Sequence, residues 1–141
     1  MKTIKSLEDF ELHHKILFFI AIFCLTIIFL RVGVQIYNPN PSIGHFELHH
    51  FDYGLILLSI TVILLLFGKR REFLYMVLTA MAFGMIFDDI IFIRVGDVLN
   101  MQNETLVYNS TLPGTIIVAG LVTFIVLIAN YFIKKNKKKS S

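Results

Sequence analysis

Apolar residues along this chain come in long blocks separated by short polar stretches, which is the patterning of membrane-spanning helices. The first block is announced by Ser6-Leu7-Glu8-Asp9, which has capping-box spacing, and by Glu11 and Lys15, correctly placed four apart. It then runs without a charge from Ile16 to Leu30 and on to Ile36, with Arg31 snorkelling to the far interface, so a first helix is predicted over 10–36. The apolar core is long for a signal peptide, acids crowd the region before it and no A-x-A site follows, so the segment is expected to be retained. Asn38-Pro39-Asn40-Pro41 ends it, because each proline disfavours helix in the residue before it.

The second block, Gly54 to Phe67, has 14 residues and spans roughly 21 Å, short of the ~30 Å hydrocarbon core. Lys69-Arg70-Arg71 closes one end, so the missing length must come from the other. About six further residues move the boundary back to around Leu48. A helix over 45–68 follows, with His49, His50 and Asp52 in the outer leaflet or at its edge. The third block, Phe73 to Ile93, has 21 residues, enough to span, and carries Asp88 and Asp89 near its end; the predicted helix is 73–93. Ala80 and Gly84 form a small-xxx-small pair suited to close helix packing. A polar loop with two acceptor sequons, Asn103-Glu104-Thr105 and Asn109-Ser110-Thr111, precedes an uncharged block from Thr115 to Ile133 and a basic tail over 134–141. The expected fold is all-α, a four-helix transmembrane bundle forming one domain over 1–141.

Charge orients it. Eleven Lys and Arg flank the first run, the second-to-third connection and the end of the fourth run, against Arg31 and Arg94 alone on the other side. Basic residues stay on the cytoplasmic side, which predicts N-in, C-in and a multi-pass protein of the plasma membrane. Composition agrees, since 56% hydrophobic residues and a mean hydropathy of +0.74 leave too little polar surface for a soluble domain of 141 residues. The formal charge of +3 does not mark a nucleic-acid binder, because five lysines (Lys134, Lys135, Lys137, Lys138, Lys139) sit together after an apolar run, as a stop signal in contact with lipid headgroups. Cys24, the single cysteine, lies inside an apolar run, excludes an intrachain disulfide and reads as a packing residue. Phe10-Glu11-Leu12-His13-His14 recurs as Phe46-Glu47-Leu48-His49-His50, each time at the entrance of an apolar run, as an inverted duplication would require.

Candidate chemistry concentrates in His45-Phe46-Glu47-Leu48-His49-His50-Phe51-Asp52-Tyr53. In a helix, His45, His49 and Asp52 would share one face, and two imidazoles four apart with a carboxylate can hold a metal. Asp88 and Asp89 lie at comparable depth on the third helix. A carboxylate inside a span costs ~2.5–3.5 kcal/mol even on insertion scales, so such acids have partners. The expected metal set is His45, His49, His50, Asp52, Asp88 and Asp89, whose mixed N/O donors would suit zinc, iron, manganese or copper. Histidines and a tyrosine at an interface also serve as plain amphipathic anchors, which is the reading taken for His13 and His14; Arg94 and Asp97 read as a surface ion pair.

The motif His-His-x-x-x-Gly at a helix start (His49, His50, Gly54), followed by a glycine-containing helix ending in paired acids (Gly84, Asp88, Asp89), resembles a group of small multi-span membrane proteins. Its members more often carry Asp-Glu at the acidic pair, so Asp89 departs from the pattern. The resemblance covers the two middle helices, about a third of the chain, and implies no activity. It does imply that the histidines and acids form one unit.

These residues lead to a small polytopic membrane protein with a polar His/Asp site at the outer ends of the second and third helices, serving metal handling or a metalloenzyme. Two other classes stay open: a non-catalytic subunit of a larger membrane complex, and a proton or cation relay. Against the relay, polar residues do not continue through the inner half of either middle helix. The expected partners are the lipid bilayer and other membrane proteins or further copies of the chain.

Overall fold

The structure is a computed structural model that describes residues 2–36, 42–43, 46–68, 71–99 and 104–139. Among the described residues it is all-α apart from one two-residue ladder. The elements are α1 (Lys2–Ile36), β1 (Ser42–Ile43), β2 (Phe46–Glu47), α2 (His50–Phe67), α3 (Glu72–Leu99), α4 (Glu104–Ser110) and α5 (Leu112–Lys139). β1 and β2 pair antiparallel, Ser42 with Glu47 and Ile43 with Phe46. Among the described residues, four stretches are long and apolar enough to cross a membrane: His14–Ile36, His50–Phe67, Glu72–Arg94 and Leu112–Phe132. The backbone of α1 departs from helix at His14 (φ −125°, ψ 23°).

α3 is the hub. It packs along most of its length on α2 and on α1, whereas α5 leans on α1 and α3 more sparingly, and α2 packs extensively on α3 alone. Lys15 of α1 pairs with Glu72 at the start of α3, and Arg31 pairs with Asp88 further along the same two helices. The two helices therefore run parallel, as the first and third spans of a serpentine chain must.

Between those pairs the α1–α3 contact is aromatic. Phe19 meets Phe83 and Phe23 meets Phe87, each edge-to-face at 6.2 Å between ring centres, around a core of Phe23, Ile27 and Ala80. Such edge contacts add about 0.5–1.5 kcal/mol beyond the area buried. Cys24 packs against this core as a free thiol.

Two glycines set the helix separations. A Cβ on Gly84 would lie 2.6 Å from Thr26 Cβ, so α1 and α3 touch where only hydrogen fits. A Cβ on Gly54 would lie 2.8 Å from Ile86 Cγ1 and 2.9 Å from the Ala82 carbonyl, which fixes α2 against α3 in the same way. Ala80, four residues before Gly84, is fully buried, so the small-xxx-small pair is used as its spacing suggests.

The helices cover the predicted apolar cores, but their ends differ: α1 starts at Lys2 rather than 10, α3 runs to Leu99 rather than 93, and α5 runs from Leu112 to Lys139 rather than over 115–133. Residues 46–49 are not helical, and α2 starts at His50. The predicted polar loop before the last span contains the short helix α4. Pro113 separates α4 from α5, because its ring would clash with the Asn109 carbonyl in a continuous helix.

Candidate functional site: a closed polar cluster at the Asp88 end

α1, α3, α4 and α5 converge on Arg31. Its Nε donates to Asp88 Oδ1 at 2.6 Å, and Nη1 donates to the Tyr108 carbonyl at 2.5 Å. Nη2 reaches the Asp88 carbonyl at 3.1 Å and the hydroxyls of Thr111 and Thr115 at 3.3 and 2.7 Å. The guanidinium carbon also sits 3.9 Å from the centre of the Tyr108 ring. Asp88 completes the loop, since its Oδ2 accepts the Tyr108 hydroxyl. Arg31, Asp88, Tyr108, Thr111 and Thr115 are all buried.

The expectation that Arg31 snorkels to the interface is corrected: it turns inward. With α1 and α3 parallel, Asp88 stands at its depth on the neighbouring helix, and two opposite charges buried together avoid the penalty each would carry alone. The fork of guanidinium donors then finds acceptors from three further sources, two threonine hydroxyls and a peptide carbonyl at the end of α4. Burial, and next the Asp88 carboxylate, hold the Tyr108 phenol above its ordinary range, which keeps it a donor.

Asp89 serves another helix. Adjacent residues on a helix point ~100° apart, so while Asp88 faces α1, α4 and α5, Asp89 faces the start of α2. Its Oδ2 accepts the Phe51 backbone N–H at 3.2 Å, and it is 2% exposed. Asp52 does the neighbouring work from within α2: its Oδ2 accepts the His49 N–H at 3.0 Å. Two carboxylates thus hold backbone donors in the first turn of α2, where free N–H groups and the positive helix end favour negative charge. His49, extended at φ −96° and ψ 164°, is the residue before the helix.

This start corrects the shared face drawn for His45, His49 and Asp52. Residues 46–49 are extended or irregular rather than helical, because the Asp52 carboxylate folds back on His49 and ends the helix there. His45 itself lies outside the described residues. The His49 ring lies 5.8 Å from that of Phe92, and the His50 ring 6.5 Å from that of Tyr108. Among the described residues, no three His, Cys, Asp or Glu side chains form a group that could hold a metal ion. At the start of α2, Asp89 accepts the Phe51 N–H and Asp52 the His49 N–H, while Asp88 belongs to Arg31.

Sequence reasoning missed Arg31, Tyr108, Thr111 and Thr115 as members of the site. One signal was available: Lys15 to Glu72 and Arg31 to Asp88 have the same sequence separation of 57, so parallel first and third helices joined at one pair are in register for the other. The Asn109-Ser110-Thr111 sequon drew attention to Thr111 for a different reason. Its hydroxyl donates to the Tyr108 carbonyl at 2.7 Å inside the cluster, while Asn109 is exposed. No known family model, no curated protein and no solved structure matches this chain.

Proposed function

We propose that this protein is a non-catalytic component of a larger membrane assembly, a compact four-helix scaffold locked at one end by the Arg31–Asp88 cluster. The observation that carries this reading is the closure of the cluster. Each carboxylate oxygen of Asp88 and all three guanidinium nitrogens are engaged within the chain, and all five side chains of the cluster are buried, so it offers no open face to a substrate. Catalytic sites keep such groups open toward a reactant. The sparse packing of α5 supports the same reading, since a helix with little internal contact has surface to offer a neighbour.

A metal reading has one observation in its favour: His49 and His50 stand at the start of α2, where Asp89 accepts the Phe51 N–H. The ion would be zinc, iron, manganese or copper, held by imidazole and carboxylate. One experiment separates the two. Protein purified without chelators is analysed for metal, and its melting in detergent is followed with and without added ions. The scaffold reading expects no stoichiometric metal, no gain from any ion, and loss of the fold when Arg31 is replaced. Stoichiometric metal that disappears in an H49A/H50A double variant would overturn it in favour of the second reading.

A further inference from the structure

The last span carries polar side chains that the Arg31 cluster does not use. Ile116, Gly120, Thr123, Leu127 and Asn130 follow one another along α5 at spacings of four, three, four and three residues. At ~100° per residue all five fall on one arc of roughly 80°, the narrow seam of two helices packed side by side. Nothing within the chain fills that seam. Ile116 and Leu127 are exposed, and a Cβ on Gly120 would meet no atom within 4 Å. Ile116, Gly120 and Thr123 line an apolar groove of about 370 Å³, flanked on α1 by Cys24 and Ile27.

Two of the five residues can hydrogen-bond through their side chains and do not. On the other three spans, the hydroxyls of Thr26, Ser59, Thr61 and Thr79 each donate to the carbonyl four residues earlier. The Thr123 hydroxyl, near the middle of its span, makes no hydrogen bond to any described residue. Neither does the Asn130 carboxamide, one turn before the lysines. Lipid tails offer neither donor nor acceptor, so polar groups left open in a span find partners on a neighbouring helix. A hydroxyl and a carboxamide both donate and accept, so each can pair with its own copy. Two copies inserted the same way round, related by a two-fold axis along the membrane normal, hold Thr123 opposite Thr123 and Asn130 opposite Asn130. An Asn in such a seam fixes register and partner number in parallel helix pairs. A foreign helix would need matching groups at both depths. We propose, resting on the assembly reading above, that this face of α5 seats the α5 of a second copy, so that the chain forms a parallel two-fold pair.

The test uses the full chain in a C24A background with a single cysteine, L127C in the seam or I63C on the exposed face of α2. Both are oxidised in native membranes and in phosphatidylcholine vesicles. L127C chains should join into a species of twice the mass in both settings, while I63C chains stay single. Adding T123V or N130L to L127C should weaken pairing about 3- to 20-fold, read as the joined fraction against the protein-to-lipid ratio. The comparison of L127C with I63C stands even if those variants fail to insert. Joining of I63C as fast as L127C would mean chance collision and would overturn the pair, as would pairing indifferent to both polar substitutions. L127C that stays single, or joins a protein of another mass, would also overturn it. Wild-type protein then decides the wider reading: migration within a larger complex from native membranes in mild detergent would leave the assembly standing, and migration alone would end both.

Discussion

α1 and α3 are joined by two ion pairs of the same sequence separation, 57 residues, and these pairs do opposite amounts of work. Lys15 and Glu72 keep 40% and 54% of their side chains exposed, whereas Arg31 and Asp88 keep 9% and 0%. The pairs stand sixteen residues apart on both helices, ~24 Å, which approaches the thickness of the hydrocarbon core. The first sits where water or headgroups can solvate either charge. The second stands where neither can be solvated, so it persists only because the charges, one phenol, two threonines and two carbonyls satisfy one another. Identical chemistry at two depths therefore gives a marginal surface contact at one end and an obligatory cluster at the other.

The largest break in this comparison comes from separating the buried pair. R31L or D88L should each cost about 3–5 kcal/mol, since the partner is left charged and unpaired. The R31L/D88L double variant should recover most of that loss, and a double-mutant cycle of detergent unfolding reads the difference. Additive losses would show that the two side chains do not depend on each other.

The close approaches that hold the helices in register come next. G84A and G54A should each lose about 1–3 kcal/mol, through contact with Thr26 and with Ile86 and the Ala82 carbonyl respectively, measured as a lower melting temperature. G84A tests the register of both ion pairs, whereas G54A tests only the seat of α2.

Removing the phenol hydroxyl from the cluster should have a comparable effect. Y108F leaves the ring over Arg31 and deletes the donor to Asp88, at a cost of about 1.5–3 kcal/mol for a hydrogen bond to a charged group. The same residue gives a pH signature. Its folded pKa is raised, so its contribution is fully present below the unfolded value of ~10 and is lost as pH rises past it. The gap between wild type and Y108F should therefore change through pH 10–11, and a gap that stays constant there would mean the phenol is not buried against Asp88.

Neutralising the exposed pair should matter least. K15Q or E72Q is expected to shift stability by under about 1 kcal/mol, and the shift should vanish in high salt. A salt-independent loss of several kcal/mol would mean that this end is as dry as the other.

The sequence by itself determined the four spans, the small residues at Ala80 and Gly84, and the special status of the two acids. Each of these is a local solvation matter: uninterrupted apolar length, the absence of a Cβ, or a charge inside a span has one physical meaning whatever surrounds it. The start of α2 was only half legible. Its missing length was inferred correctly as lying before Gly54, but the turn at His49 depends on Asp52 folding back and on Asp89 arriving from another helix. Only the tertiary structure decided which partner each acid takes. Asp88 and Asp89 are neighbours in sequence, and a rotation of α3 about its axis would exchange their surroundings. That rotation is set by Gly84 against Thr26 and Gly54 against Ile86, contacts between segments far apart in the chain. The burial of Arg31 and the docking of α4 through Tyr108 follow from the same placement. A lone arginine at the end of an apolar run reads as a snorkelling residue until a parallel helix brings a carboxylate to its depth.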